Sequence, residues 1–133
     1  MILLDSSAWV THLRGADVPA LAEVRTILRE RASEVVVCEP VVMELLAGAT
    51  SGTVDRLERV LDGLPSLRFS PETDFRTAAT LHRSARATGE TVRSMVDCVI
   101  AAVAIRHGAQ LVHRDRDFDV LAQVSPLDQV RLS

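Results

Sequence analysis

Short apolar runs alternate with longer segments of mixed polarity along the 133 residues of the chain. Apolar residues, many of them β-branched, predict buried strands at 2–5 (ILLD), 34–38 (EVVVC) and 110–113 (QLVH), with shorter strands at 66–69 and near 128–132. The segments between them are long enough for helices. Because apolar strands that alternate with helices are typical of a parallel sheet covered on both faces, the pattern predicts an α/β fold with a mostly parallel sheet.

The segments between the strands carry residues that start and stop helices. Ser94 is a candidate N-cap, and Gly108 a candidate stop, for a strongly apolar helix at 95–107. Thr53 is a candidate N-cap for the segment that follows it. The predicted helices are 7–13, 20–32, 41–48, 54–62, 72–88, 95–107 and 117–122.

Composition indicates one globular domain spanning residues 1–133. Hydrophobic residues make up 47% of the chain, which is enough to build a core and argues against a disordered chain. The two cysteines, Cys38 and Cys98, lie in apolar runs and are interpreted as reduced core thiols. The start of the sequence lacks the pattern of a signal peptide, and no apolar run approaches the length of a membrane span, so we expect a cytoplasmic protein.

Four acidic residues occupy similar places relative to the predicted strands. Asp5 ends the first strand, and Glu44 lies one turn into the helix after the second. Asp97 opens the apolar helix at 95–107, and Asp115 comes two residues after QLVH. Ligands of parallel α/β sheets bind at the carboxyl ends of the strands. We therefore expect the four acids to meet at that edge of the sheet.

Each acid has a structural alternative when it is taken alone. Asp5 could cap the helix that follows it, and Asp97 could be a helix-start carboxylate stabilised by the helix dipole. Glu44 could belong to the exposed stripe of an amphipathic helix. Asp115 could lie in a solvated turn, since its segment, HRDRDFD, alternates acids with other residues. The joint pattern favours a shared site over four separate structural roles.

A cluster of carboxylates favours one kind of chemistry. Carboxylates repel one another in a low dielectric, and a bound divalent cation relieves that repulsion. Oxygen ligands without a Cys–His set indicate Mg²⁺, with Mn²⁺ as the alternative ion, rather than zinc. Such ions can bind a scissile phosphate and activate water, so no nucleophilic side chain is needed. Net charge is −3, which is unusual for a nucleic-acid-binding protein, but bound cations would offset the acids of the site.

Three segments of the chain resemble a known family. They are MILLDSSAW at the start, PVVMELLAGA in the middle, and SMVDCVIAAVAIRHGAQLVHRDRDF towards the end. These segments and their spacing resemble the PIN-domain ribonucleases and, within them, the VapC toxins of bacterial toxin–antitoxin pairs. The resemblance extends over essentially the whole chain.

The resemblance implies a fold, an activity and partners. The fold is a three-layer α/β/α PIN-like fold with a central, mostly parallel sheet. The activity is Mg²⁺-dependent endonucleolytic cleavage of RNA, often tRNA or rRNA. The partners are a cognate VapB-type antitoxin and a second copy of the chain, in a homodimer that forms larger complexes with the antitoxin.

The resemblance also implies site residues by motif match. The catalytic and metal-binding acids fall on Asp5, Glu44, Asp97 and Asp115, and Asp117 is a further metal ligand. The hydroxyl residue after the first acid, commonly Thr in the family, is Ser6 in this chain and keeps the hydroxyl.

Two arginines and one histidine lie beside the late acids in the sequence. Arg114 and Arg116 bracket Asp115 and are candidate RNA-phosphate contacts, since the guanidinium group matches phosphate geometry. His113 is interpreted as a structural strand-end residue rather than a catalytic one, because histidine-based RNA cleavage needs two histidines as acid and base.

An apolar face on the first short helix allows two interpretations. It consists of Trp9, Val10 and Leu13, and Leu45 and Leu46 lie on a later helix. Plain core packing is one interpretation. The other is an exposed groove that takes an antitoxin segment by helix-in-groove recognition.

Two other protein classes with a strand-end aspartate fit the sequence less well. A haloacid-dehalogenase-type phosphatase needs an acid two residues after the first, where this chain has Ser7. A response-regulator receiver needs a late lysine, and the chain contains none. A catalytically silent PIN-like domain used for RNA binding or dimerisation remains the alternative to an enzyme, although all four acids are present. A DNA nuclease of the same fold also remains open.

Overall fold

The computed structural model describes residues 1–133 and contains one five-stranded parallel sheet. The strands lie in the order β3-β2-β1-β4-β5, so the first strand occupies the centre. The strands are β1 (Ile2–Leu4), β2 (Val35–Cys38), β3 (Ser66–Leu67), β4 (Gln110–His113) and β5 (Gln129–Arg131). Leu3 of β1 pairs with Val36 on one side and with Leu111 on the other. This arrangement places the ends of β1, β2 and β4 side by side.

Seven α-helices flank the sheet. The helices are α1 (Ser6–Arg14), α2 (Pro19–Glu30), α3 (Glu39–Gly48), α4 (Val54–Asp62), α5 (Pro71–Ala87), α6 (Met95–His107) and α7 (Arg116–Gln123). The sheet with helices on both sides confirms the predicted three-layer α/β/α fold. None of the helices combines the length and the apolar character that crossing a membrane would require.

The core explains why the central strand and one helix are so apolar. Leu3 and Leu4 of β1 are fully buried, because parallel strands in this layered fold are covered on both faces. Helix α6 is buried over most of its length, from Ile100 to Ala104 and at Asp97 and Cys98. It ends at Gly108, whose φ of 66° is the left-handed conformation that glycine adopts without strain. Both cysteines are buried and unpaired, as predicted.

Several predicted boundaries are corrected by the structure. The helix predicted for 20–32 stops at Glu30, and a 3₁₀ turn at Ala32–Glu34 follows it. Thr53 does not cap α4 through its side chain, because the hydroxyl bonds within the preceding turn, to Thr50. The strand predicted for 66–69 is limited to its first two residues.

A buried ion pair joins helices α5 and α6 to the loop after β3. Asp74 is fully buried and accepts hydrogen bonds from Arg106 Nε and Nη2, both at 2.8 Å. Arg106 also donates to the carbonyl of Arg68, and Asp74 accepts from the Ser70 N–H at 2.8 Å. This network fixes the loop over the last turn of α6, whereas Asp97 lies in the first turn of that helix.

Candidate metal centre

Asp5 is the residue at which β1 ends and α1 begins. It is 2% exposed, and its backbone N–H donates to the Val112 carbonyl of the neighbouring strand. Its Oδ2 accepts hydrogen bonds from Ser7 N at 3.0 Å and from Ser7 Oγ at 2.5 Å. Its Oδ1 is buried and has no hydrogen-bond partner. Asp5 therefore caps α1, as the structural alternative predicted, and still keeps one carboxylate oxygen uncommitted.

Glu44 projects from α3, the helix that follows β2. It is half-buried, and its Oε1 accepts a hydrogen bond of 3.0 Å from Ser6 Oγ. Burial raises the pKa of Glu44, and the negative charges of Asp5 and Asp115 raise it further. These interactions place Glu44 among other acids rather than on a solvated helix stripe.

Asp97 lies in the first turn of α6. It is 5% exposed, and its backbone N–H donates to Ser94 Oγ at 3.4 Å, which confirms Ser94 as the N-cap. Its Oδ2 is buried without a hydrogen-bond partner. Burial, followed by the neighbouring Asp117, Asp115 and Asp5 carboxyls, raises the pKa of Asp97 to about 9. Its ionised form is therefore strongly disfavoured when no cation is bound.

Asp115 and Asp117 follow β4 in the HRDRDF segment, and their surroundings differ. Asp115 is half-buried and is the N-cap of α7, where its Oδ1 accepts from Asp117 N at 2.9 Å. Asp117 is 3% exposed, and its Oδ2 accepts from Arg93 N at 3.1 Å and from Ser94 N at 3.2 Å. Asp117 thus ties the start of α7 to the loop that leads into α6.

The fold brings all five acids to one place. One oxygen each from Asp5, Glu44 and Asp97 lie within 4.8 Å of one another, and so do oxygens from Asp97, Asp115 and Asp117. Asp97 belongs to both groups and is the centre of the cluster. The carboxyl ends of β1, β2 and β4 and the start of α6 supply these residues, as the sequence predicted.

The cluster fits a hard divalent cation. Asp5 Oδ1 and Asp97 Oδ2 are buried and unpartnered, and buried polar atoms without a partner are costly unless a ligand satisfies them. All the available ligand atoms are carboxylate oxygens, which is the donor set of Mg²⁺ and Mn²⁺.

The two arginines beside Asp115 are both exposed. Arg116 Nη2 donates to Glu90 at 2.7 Å, and Arg114 Nη1 donates to Thr11 Oγ1 at 3.4 Å. Both guanidinium groups lie on the surface near the acid cluster without bonding to any of its five members.

His113 holds the end of β4 from inside the protein. It is fully buried, and its Nδ1 accepts a hydrogen bond of 3.0 Å from Asp115 N. The acceptor role of Nδ1 places the proton on Nε2, which donates to Gln129 Oε1 at 2.5 Å. The ring packs on Phe118, with centroids 5.0 Å apart. These contacts agree with the interpretation of His113 as a structural residue.

A groove of about 370 Å³ runs between α1, α3 and α4 and reaches Glu44 at one side. Val10, Leu13 and Leu45 line it, in agreement with the groove interpretation for these residues. Trp9 is 2% exposed and belongs to the core, and Leu46 packs against the core without lining the groove. For Trp9 and Leu46, core packing is therefore the correct interpretation.

Ser7 has a position in the cluster that the sequence analysis did not predict. In the sequence Ser7 stands out only as the residue that breaks a D-x-D pattern, yet both its N–H and its hydroxyl donate hydrogen bonds to Asp5. The available signal was a serine two residues after an Asp at a strand-to-helix turn, where such local side-chain–backbone bonds are common.

Comparison with known proteins gives close sequence relatives. The PIN domain family model matches residues 2–124. A VapC ribonuclease of Mycobacterium bovis and ribonuclease VapC11 of Mycobacterium tuberculosis are each 53% identical to this chain over 128 residues, 96% of this chain and 96% of the relative. Ribonuclease VapC18 of M. tuberculosis is 32% identical over 125 residues, 92% of this chain and 88% of the relative.

Solved structures share the fold at low sequence identity. The structure of VapBC2 from Rickettsia felis bound to a promoter DNA fragment aligns with a TM-score of 0.77 at 20% identity, and covers 100% of both chains. M. tuberculosis VapC20, a toxin that cleaves the sarcin–ricin loop, aligns with a TM-score of 0.70 at 16% identity, over 96% of this chain and 99% of that one. At these identities the likeness supports the fold.

Proposed function

Because this chain belongs to the PIN-domain family, and within it to the VapC ribonucleases, we propose that it is a Mg²⁺-dependent endoribonuclease that acts as the toxin of a toxin–antitoxin pair. The observation that carries the proposal is the convergence of five acids at one sheet edge. The two buried, unpartnered oxygens of Asp5 and Asp97 support a cation at this point. The 53% identity to named ribonucleases supports RNA as the substrate.

The acids have different roles in this proposal. Asp5 and Asp97 are the principal ligands, because each is buried and keeps one free oxygen. Glu44 and Asp115 are more exposed, so they face the side from which substrate and water arrive and orient the attacking water. Asp117 contributes a ligand oxygen together with Asp97 and Asp115, while its Oδ2 holds the loop before α6. A bound Mg²⁺ or Mn²⁺ would supply positive charge for the scissile phosphate and acidify the attacking water.

Cleavage of a labelled RNA by the purified chain tests this function. We expect cleavage with Mg²⁺ or Mn²⁺, loss of cleavage in EDTA, and loss of at least about a hundredfold in Asp97→Asn and Asp5→Asn. Asp62→Asn is the matched control, since Asp62 is an exposed aspartate at the end of α4, outside the acid cluster. Full activity of either active-site variant, with contaminating nuclease excluded, contradicts the mechanism. RNA binding without cleavage by the wild-type chain favours the catalytically silent alternative.

A comparison of RNA and DNA substrates tests the substrate class. We propose tRNA or rRNA as the target, because cleavage of the sarcin–ricin loop is the named activity of a structural neighbour. Parallel digestion of tRNA, rRNA and single-stranded DNA with the same preparation separates these substrates. Cleavage of DNA at the same rate as RNA contradicts an RNA-specific enzyme.

We propose the α1–α3–α4 groove as the binding site for a VapB-type antitoxin segment. Its walls are apolar at Leu57 and Val60, and Val60 is 48% exposed, which leaves a surface that an apolar helix face can cover. Arg14 and Arg56 also line the groove and favour a segment that carries acidic side chains. The groove extends to Glu44, so an occupant would reach the edge of the acid cluster.

Co-purification with the antitoxin tests the groove. We expect Val60→Asp to weaken the complex and Val130→Asp to leave it unchanged, because Val130 is also exposed but lies on β5, outside the groove. Equal affinity of both variants contradicts this docking site.

We further propose that the single domain forms a cytoplasmic homodimer that assembles with the antitoxin. Sedimentation of the free chain and of the complex measures the oligomeric state of each.

A further inference from the structure

We infer that Ser7 is a positioning residue that preorganises the metal centre by locking Asp5 and the β4–α7 loop to each other. This inference rests on the proposed function and goes beyond it, because Ser7 is not one of the acids and is not the hydroxyl residue of the family motif. That motif residue, Ser6, bonds Glu44 instead.

The bonds of Ser7 to Asp5 select which carboxylate oxygen stays free. Ser7 N and Ser7 Oγ both donate to Oδ2 of Asp5, at 3.0 Å and 2.5 Å. Two donors on one oxygen fix the rotation of the carboxylate about its Cβ–Cγ bond. The other oxygen, Oδ1, remains buried and without a partner. A ligand atom that is already oriented loses less conformational entropy when a cation binds.

The same hydroxyl reaches a second segment of the site. Ser7 Oγ accepts a hydrogen bond of 2.9 Å from the backbone N–H of Arg114, which directly precedes Asp115. A serine hydroxyl has one donor and can accept as well, so both bonds are satisfied together. Ser7 therefore links the residue that ends β1 to the loop that ends β4. Partners that orient metal ligands in this way typically change metal affinity about 10–100-fold when they are mutated.

Mn²⁺ binding measured by electron paramagnetic resonance on the purified chain tests the inference. For Ser7→Ala we expect the Mn²⁺ dissociation constant to rise by about tenfold or more, because Asp5 loses its hydroxyl donor and the loop loses its anchor. Ser7→Thr keeps the hydroxyl and should recover most of the affinity. Ser84→Ala is the matched control, since Ser84 is a half-buried serine on α5 that is not part of the acid cluster, and this variant should bind Mn²⁺ like the wild type.

The outcomes separate this inference from the proposed function. If the wild-type chain binds no Mn²⁺, the proposed function fails. If the wild type binds Mn²⁺ and folded Ser7→Ala binds it equally well, only the role of Ser7 is overturned. A merely structural role would lower the thermal stability of Ser7→Ala and leave the Mn²⁺ affinity of its folded fraction unchanged. If Ser7→Ala does not fold, Ser7→Cys, which replaces the hydroxyl with a weak donor of similar size, carries the same test with the same two outcomes.

Discussion

Asp97 and Asp117 lie with carboxylate oxygens within 4.8 Å of each other, although one opens α6 and the other lies in α7. Asp117 also holds the backbone of Arg93 and Ser94, directly before α6. The Asp117 side chain therefore positions the helix that carries Asp97, and its negative charge disfavours ionisation of Asp97. An arrangement that places like charges together and also fixes their spacing is suited to a cation between them.

The pH dependence of stability follows from Asp97. Its pKa is raised from 3.8 to about 9, so over this range the folded protein holds a proton that the unfolded chain has released. The free energy of unfolding of the metal-free protein should therefore fall as pH rises from about 4 to about 9. Thermal melts in EDTA measure this trend. The stabilisation gained on adding Mg²⁺ or Mn²⁺ should grow with pH over the same window, and a pH-independent gain would contradict the assignment.

Replacing Asp97 with a permanently neutral residue should stabilise the metal-free protein and abolish its activity. Asp97→Asn keeps the shape of the side chain and removes the cost of protonating Asp97 on folding, because the unfolded chain holds this carboxyl ionised at pH 7 whereas burial and the neighbouring acids keep it protonated in the fold. We expect a gain of about 1–2 kcal/mol in the free energy of unfolding at pH 7 without metal, which is roughly a 3–8 °C rise in melting temperature. Denaturation followed by circular dichroism measures it. A destabilised Asp97→Asn with no metal present would show that the cost of protonating Asp97 on folding does not dominate at this position.

The Asp74–Arg106 pair should matter for stability alone. Asp74 is fully buried, so Asp74→Asn leaves the Arg106 guanidinium without its counter-charge. Loss of one partner of a buried pair costs about 3–5 kcal/mol. A loss of about 2–3 kcal/mol is expected here, since the Arg106 side chain is 33% exposed. Arg106 holds the pKa of Asp74 below its usual range, so this contribution should be lost as pH falls.

An exposed pair provides the control for that prediction. Arg31 and Glu34 also form a short ion pair, but their side chains are 48% and 43% exposed. Glu34→Gln should leave the free energy of unfolding almost unchanged, because solvent screens an exposed pair. The Mn²⁺ affinity of folded Asp74→Asn should equal that of the wild type, and a large change would mean that the α5–α6 network reaches the acid cluster.

RNA affinity should depend on Arg114 and Arg116 through phosphate charge. Both are exposed beside the acids, so Arg114→Ala and Arg116→Ala should each weaken RNA binding while the fold persists. For a single strand, each lost phosphate contact should reduce the slope of log affinity against log salt by about 0.7. Filter binding over a salt series in Ca²⁺ or EDTA measures this slope. Slopes equal to that of the wild type in both variants would exclude the two arginines as phosphate contacts.

The sequence was sufficient to predict the fold because its signals are local and strong. The runs ILL, VVVC and QLVH form buried strands, and helix α6 begins after Ser94 and ends at Gly108 as its caps indicate. Convergence of the acids followed from one topological rule, since parallel strands end at one edge of the sheet.

Contacts that depend on side-chain direction could not be predicted in the same way. The position of Trp9 in the core and the pairing of Arg116 with Glu90 depend on how distant elements pack. The hydrogen bond from the Arg114 N–H to Ser7 Oγ joins segments that only the folded sheet brings together, whereas the bond from Ser7 to Asp5 is local. Thr53 shows the limit of local rules, because its hydroxyl bonds Thr50 although its position before α4 favours a cap.

The most direct test of the account is an anomalous difference map from a crystal soaked in Mn²⁺. We expect a peak for a Mn²⁺ ion coordinated by Asp5 and Asp97, with Glu44, Asp115 or Asp117 completing the site at oxygen–metal distances of about 2.0–2.4 Å. A Mn²⁺ ion bound elsewhere on the chain, with no peak between Asp5 and Asp97, would contradict it.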